Sequence, residues 1–223
     1  MTRAIEPRAF AEVAAEMAAS MVEIQLRRRA IRDARVLDAM CRLPRHEFVP
    51  ENRRDEAYAD APIAIGYGQT ISQPYITALM AELLELQGDE KVLDVGSGSG
   101  YAAGLLGALA GEVISIERIP QLAAIARANL RKSGLDRNIT VICGDGSLGV
   151  PDYAPFDAIF VAAAAPSVPT SLTAQLADPG ILVIPTGTRE DQELRVVRKE
   201  RGKCITLQFS ACRFVPLLGR DAF

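Results

Sequence analysis

Three glycines and two carboxylates frame the chemistry open to this chain. Val92-Leu93-Asp94-Val95-Gly96-Ser97-Gly98-Ser99-Gly100-Tyr101 reads as an apolar strand, a tight glycine turn and the start of a helix. In that setting a nucleotide-like ligand packs against bare backbone at the strand's carboxyl end, beside a helix N-terminus. Glu117 closes the next apolar run, 21 residues after Gly96, where an acid can accept both hydroxyls of a ribose. Asp145-Gly146 follows a third run, where a second carboxylate can meet an adenine edge. Alone, the loop is ambiguous, since glycines also close turns and Glu117 could cap a helix starting near Pro120. All three features at successive strand ends point to a ligand.

The spacing narrows the choice of ligand. A dinucleotide fingerprint wants a small residue three positions past its second glycine, so that helix and strand pack closely. That position holds Tyr101. Gly-x-Gly-x-Gly resembles instead the first motif of S-adenosylmethionine methyltransferases. A dehydrogenase would also need a substrate domain, and only 37 residues follow Thr186. An NAD-dependent oxidoreductase is the second reading.

Composition excludes other chemistries. The chain has a single histidine, His46, so a Ser-His-Asp triad, a poly-His metal site or an imidazole relay is not expected. His46 lies in Pro44-Arg45-His46-Glu47-Phe48 and reads as an exposed turn residue. Cys41, Cys143, Cys204 and Cys212 form no CxxC pair, which suits a reducing compartment without zinc or disulfides. Cys143 and Cys204 fall in β-like apolar runs, where a thiol acts as a small hydrophobe. A net charge of −3 argues against a partner held by phosphate contacts; Arg27-Arg28-Arg29 and Arg53-Arg54 read as solvated faces. No apolar run approaches the roughly 20 residues that span a bilayer, and Met1 to Phe10 lacks the apolar core of a secretory signal.

The elements that must position these residues follow from periodicity. Pro7 to Met40 is helical by period and propensity, Pro44 to Gln73 is broken by prolines and glycines into loops, and Tyr75 to Leu86 is a helix closed at Gly88. From Lys91 strands and helices alternate: strands at Lys91 to Val95, Glu112 to Glu117, Asn138 to Cys143, Phe156 to Ala163 and Gly180 to Pro185, helices at Gly100 to Leu109, Pro120 to Lys132 and Val168 to Ala177. Such alternation predicts a parallel sheet covered on both faces. Leu194 to Arg198 and Cys204 to Phe214 read as an antiparallel edge hairpin. The expected fold is α/β, a Rossmann-like doubly wound, mostly parallel sheet of the S-adenosylmethionine methyltransferase type, with a helical N-terminus. Residues 1–75 are expected to form part of the substrate site and 76–223 to bind the cofactor, as one compact unit.

Upstream of the loop lies Gly66-Tyr67-Gly68-Gln69-Thr70-Ile71-Ser72-Gln73-Pro74-Tyr75. With Val36-Leu37-Asp38-Ala39-Met40, Pro44 to Pro50, Ala57-Tyr58, Ser115-Ile116-Glu117-Arg118, Gly144-Asp145-Gly146 and Arg213-Phe214-Val215-Pro216-Leu217, it resembles the protein-L-isoaspartate O-methyltransferase family in order, from about Met21 to Gly219. Thr-Ile-Ser-Gln-Pro is the most characteristic motif. Glu and Thr stand in many bacterial members where this chain has Asp94 and Ser97. Animal members carry a histidine near Thr77 and a threonine near Leu218, so contacts expected there are not carried over.

The resemblance implies methyl transfer from S-adenosylmethionine to the α-carboxylate of L-isoaspartyl, and possibly D-aspartyl, residues in damaged proteins. It implies Ser72 as the catalytic placement residue. Thr70, Ile71, Ser72, Asp94, Gly96, Ser97, Gly98, Glu117, Asp145 and Gly146 would hold the cofactor, with Asp94 near the methionine end, Glu117 on the ribose and Asp145 on the adenine. No metal, nucleic acid or membrane partner is expected, and the chain is expected to be a cytoplasmic monomer. Two alternatives remain at this level: a methyltransferase on another protein, nucleic-acid or small-molecule acceptor, and a cofactor-binding interaction module. Thr70 and Ser72 have a simpler reading too, as caps of the helix starting near Pro74.

Overall fold

The computed structural model describes residues 7–223, with side chains from residue 12 onward. Nine strands and six α-helices appear in these residues. Seven strands form one sheet in the order β5-β4-β3-β6-β7-β8-β9. These are β3 (Lys91–Val95), β4 (Glu112–Glu117), β5 (Ile139–Cys143), β6 (Phe156–Val161), β7 (Leu176–Gly187), β8 (Gln192–Glu200) and β9 (Lys203–Cys212). β3 to β7 run parallel to one another, whereas β8 is antiparallel to both β7 and β9. The chain moves outward from β3 to β5 and then returns to place β6 on the other side of β3. Carboxyl ends at such a reversal open a crevice.

Period-2 alternation divides the core. Val92, Val113, Ala158, Phe160 and Val183 point into one apolar cluster with α2 (Ala34–Arg42), α3 (Pro74–Leu83) and α4 (Tyr101–Leu109). Leu93, Val95, Ile114, Ile116, Ile159 and Leu182 point into the other, with Leu172 of α6 (Thr170–Gln175). One-residue offsets along each strand therefore feed both faces. α5 (Pro120–Lys132) follows β4, as the alternating pattern requires.

The N-terminal helical stretch is interrupted. α1 (Pro7–Met21) passes through a π turn at Val22–Leu26 and a 3-10 turn at Arg27–Arg29, then stops at Ala30, whose φ is +71°. α2 restarts behind Asp33, whose carboxylate accepts from the N–H groups of Arg35 and Val36. The Asp33 cap competes with a continuous helix and fixes where the second one begins. The segment read as loops is also more ordered. It holds two short 3-10 turns, Arg45–Phe48 and Glu51–Glu56, and an antiparallel hairpin of β1 (Ile63–Gly66) and β2 (Gln69–Ile71). Gly66, Tyr67 and Gly68 all take positive φ at its tip, which two of the three can do without a Cβ penalty.

Three side-chain expectations are corrected. His46 is part-buried, with Nδ1 2.8 Å from the Tyr58 hydroxyl, because its 3-10 turn packs inward. Cys143 and Cys204 do lie in strands, but both are exposed, since β5 and β9 are the two edges of the sheet. Arg29 is not simply solvated: its guanidinium pairs with Asp60 at 2.5 Å and sits 3.5 Å from the centroid of the Tyr75 ring.

Replacing Asp33 with Ala removes the acceptor for two N–H groups and should cost about 1 kcal/mol of stability. Denaturant unfolding of the two proteins measures this. An unchanged midpoint would show that the break at Ala30 sets the restart by itself.

Candidate functional site

The glycine turn between β3 and α4 is held in shape from below and from the side. Gly96, Gly98 and Gly100 have φ of +95°, +53° and +91°, values at which a side chain would be strained. Glu117, at the end of β4 and 7 % exposed, ties the turn down. One carboxylate oxygen accepts from the Gly98 N–H at 2.9 Å and the other from the Ile119 N–H at 2.9 Å. The second contact satisfies a donor at the start of α5, so a capping role is real. Each oxygen still has a lone pair directed elsewhere, and Glu117 lines a cavity above the turn.

That cavity lies over the turn and opens to solvent. It brings together Thr70, Ile71 and Ser72 from the hairpin side, Gly96, Ser97, Gly98 and Glu117 from the sheet, and Gly146 beyond β5. Arg118, Ile119, Ala163 and the C-terminal run Val215 to Leu218 line it as well. Of these, the C-terminal run returns because Leu217 donates to the Ala164 carbonyl at 2.7 Å and Pro216 bridges Ala164.

Asp94 and Asp145 do not line it. Asp94 is fully buried behind the turn. Its Oδ2 accepts from the Ser115 hydroxyl at 2.6 Å, and the Ser115 and Ser97 hydroxyls are themselves hydrogen-bonded. Because Ser115 spends its proton on Asp94, Ser97 must donate to Ser115, and the chain of three fixes the loop against β4. Asp94 Oδ1 has no hydrogen-bond partner among the described residues. Burial pushes the Asp94 carboxyl up to about 7, the Ser115 bond opposes this, and the nearby Glu117 charge adds to it. Asp145 has Oδ1 on the Ser147 N–H and hydroxyl and Oδ2 on the Arg220 N–H. Burial would raise its carboxyl, but these donors hold it below the usual carboxylate range. Its neighbour Gly146 is what reaches the cavity.

A second cavity adjoins the first and shares Thr70, Ser72, Ala162 and Val215 with it. Arg29, Gln73, Tyr75 and Ser210 to Phe214 complete its wall. Ser72 does not cap α3. Gln73 holds the cap position, no side chain makes the capping bond, and the Ser72 hydroxyl has no hydrogen-bond partner among the described residues. Its carbonyl, however, accepts from Nη2 of Arg45 at 2.7 Å. Arg45 is fully buried, and burial lowers its pKa against the favourable field of Tyr101. It also donates to the Ala57 carbonyl at 2.7 Å and lies 4.6 Å from the Tyr101 ring centroid. Sequence reasoning missed Arg45 because a lone arginine beside His46 and Glu47 reads as solvent-facing. Its only signal was its place inside Pro44 to Pro50.

No group of three or more His, Cys, Asp or Glu side chains that could hold a metal ion occurs among the described residues, and no helix among them is long and apolar enough to cross a membrane.

Residues 16–222 match the family model described as protein-L-isoaspartate(D-aspartate) O-methyltransferase. The chain is 55% identical over 206 residues to protein-L-isoaspartate O-methyltransferase 2 of Marinobacter nauticus, covering 92% of this chain and 94% of the relative. It is 53% identical to the protein-L-isoaspartate O-methyltransferase of Koribacter versatilis, covering 92% of each. Among solved structures, one assigned as a protein-L-isoaspartate O-methyltransferase from Plasmodium falciparum, with S-adenosyl-L-homocysteine bound, superposes with a TM-score of 0.78 at 30% identity, over 90% of this chain and 98% of the other. Another, a protein-L-isoaspartate O-methyltransferase, gives 0.81 at 26% identity over 93% of this chain and 67% of that one.

The buried Asp94 carboxyl has a measurable consequence. Its folded pKa lies above that of an unfolded aspartyl, near 4. Between about pH 4 and pH 7 the unfolded chain has released this proton while the folded one keeps it, so stability contributed by Asp94 is lost as pH rises through that window. The stability of the parent relative to Asp94→Asn should fall from pH 5 to 7 and level off above. Unfolding curves at stepped pH values test this, and a gap independent of pH would contradict it.

Proposed function

The chain belongs to the protein-L-isoaspartate(D-aspartate) O-methyltransferase family, and on that premise we propose that it methylates the free α-carboxylate of isoaspartyl residues in damaged proteins from S-adenosylmethionine, with Ser72 placing the acceptor. The observation that carries the role of Ser72 is its position on the wall common to both cavities. A donor of methyl groups on one side and a carboxylate on the other would meet there.

The cavity above the glycine turn fits the cofactor by its own chemistry. Glu117 keeps a lone pair on each oxygen for a vicinal diol, and the turn at Gly96 and Gly98 offers backbone with no side chain in the way. Residues 70–72 and 96–98, with Glu117 and Gly146, would hold it, while Asp94 shapes the turn from beneath through Ser115 and Ser97. Asp145 would act at the adenine end by capping the 3-10 turn that Gly146 begins. When bound, S-adenosylmethionine supplies an electrophilic methyl group on a sulfonium.

What remains for the protein is modest acid–base work and strict placement. A carboxylate with a pKa near 4 is already ionised at neutral pH and needs no base, which agrees with a site that has no histidine in its wall. Placement alone can supply effective molarities of roughly 10⁵ M or more. The Ser72 hydroxyl, uncommitted to any cap, donates to the acceptor carboxylate and aims it, and Arg45 keeps the Ser72 backbone from retreating. In the methyl ester formed, the adjacent backbone amide nitrogen then attacks the ester carbonyl without further help, expelling methanol and closing a succinimide, and addition of water returns part of it to normal aspartate. Four free cysteines support a reducing compartment, the cytoplasm, as the place of action, and we take the working form to be a monomer.

Ser72→Ala separates placement from folding. Having no capping bond to lose, the variant should melt within about 0.5 kcal/mol of the parent, while single-turnover methyl transfer should slow roughly ten- to a thousandfold. Affinity for the cofactor should fall far less than the rate, because the hydroxyl removed is the one proposed to act on the acceptor. Transfer at the parent rate would remove Ser72 from the reaction.

A further inference from the structure

β9 is an anomaly for the outer strand of a sheet. Among the described residues it pairs only with β8, leaving its other side open. Natural edges are blunted with charges or prolines, yet Lys203 is the only charged residue in its sequence, Lys-Cys-Ile-Thr-Leu-Gln-Phe-Ser-Ala-Cys. Ile205, Leu207 and Phe209 stand 60%, 49% and 54% exposed.

Register gives the direction in which this apolar strip faces. Directly opposed residues of an antiparallel pair share a face. Leu207 opposes Val196 and Ile205 opposes Arg198, two residues along β8 from Val196 and so on its face. Ser210 opposes Leu194, and Phe209 is the extra residue where the register slips. Leu194 and Val196 belong to the same core cluster that Tyr75, Ile76 and Phe214 pack against. Ile205 and Leu207 therefore lie on the side of the sheet that carries the second cavity. Ser210 is already part of that cavity's wall, so the strip and the cavity are continuous.

We propose that the β9 strip, running from Ser210 to Ile205, is a docking surface for the extended chain that flanks an isoaspartyl residue in an unfolded client. The proposal rests on the methyl-transfer reading above. An acceptor carboxylate at Ser72 sits within a polypeptide, and that polypeptide must leave the second cavity across its wall. The wall formed by Ser210 to Val215 leads directly onto β9. An open strand edge offers hydrogen bonds to any extended backbone, whatever its sequence, and alternate apolar side chains add affinity for the hydrophobic segments that unfolding exposes. At about 3.3 Å per residue, the five steps from Ser210 to Ile205 span roughly 17 Å. A client would need about five residues on one side of the damaged linkage to fill the strip.

The test compares steady-state methylation of a six-residue isoaspartyl peptide with peptides carrying about six further, mostly apolar residues on one side or the other. Extension on one side should lower KM roughly tenfold with kcat unchanged. The double variant Ile205→Glu, Leu207→Glu should lose that advantage and keep the parent's kcat and KM on the short peptide. Thr206→Glu, which opposes Val197 on the other face of the strand, should retain it. Equal KM for short and extended peptides in the parent would overturn the proposal, as would equal loss in Thr206→Glu. So would a concentration-dependent dimer, seen by light scattering, that the double variant dissolves, because the strip would then belong to a second copy. No methylation of the short peptide by the parent would instead remove the methyl-transfer reading itself.

Discussion

Arg45 carries a guanidinium wholly out of water, and two backbone carbonyls, those of Ala57 and Ser72, together with the Tyr101 ring, surround it. Such burial is costly unless the donors are used. Nε and Nη2 are used, and Nη1 has no partner among the described residues, so the surrounding chain is constrained to keep these two carbonyls in place. Ala57 follows the second 3-10 turn, Ser72 follows β2, and Tyr101 begins α4 directly after the glycine turn. One side chain thereby locks the segment ahead of α3 onto the helix that starts at the cofactor cavity. The relation between Ser72 and the glycine turn, on which any transfer between the two cavities depends, is set by this contact.

Glu117 performs the matching task on the other wall. Its two oxygens join the turn to the start of α5, while Ser115 joins the same turn to the buried Asp94. The loop is thus held from two directions before any ligand arrives. Preorganisation of this kind suits a reaction in which the nucleophile is already charged and the barrier is mainly one of alignment. It also accounts for a site with no imidazole in its wall.

The parallel strands were legible because each is a short apolar run bounded by turn residues, and the strands Lys91–Val95 and Glu112–Glu117, like the helix Pro120–Lys132, match the pattern residue for residue. The break at Ala30 was not, since alanine is the best helix former and only tertiary context holds it at φ +71°. β1 and β2 were read as loop because Gly66 and Gly68 look like breakers, although the alternation of Ile63 and Ile65 ahead of them was a hairpin signal. At the site, glycine spacing and Glu117 could be read from position alone, as strand-end residues. Asp94 and Asp145 share that placement, yet one points beneath the turn and the other to Ser147 and Arg220, and side-chain direction at a strand end does not follow from spacing. Ser72 came from a family resemblance, and Arg45 from neither route, because its partners are carbonyl oxygens 12 and 27 residues away.

Incubation with S-adenosylmethionine carrying a labelled methyl group tests the account most directly, using two peptides that differ only in an isoaspartyl or a normal aspartyl linkage at one position. The account predicts label in a base-labile ester on the isoaspartyl peptide and none on its aspartyl twin, because moving one methylene into the main chain is what brings the α-carboxylate to Ser72. Equal labelling of both peptides, or of neither, would contradict it.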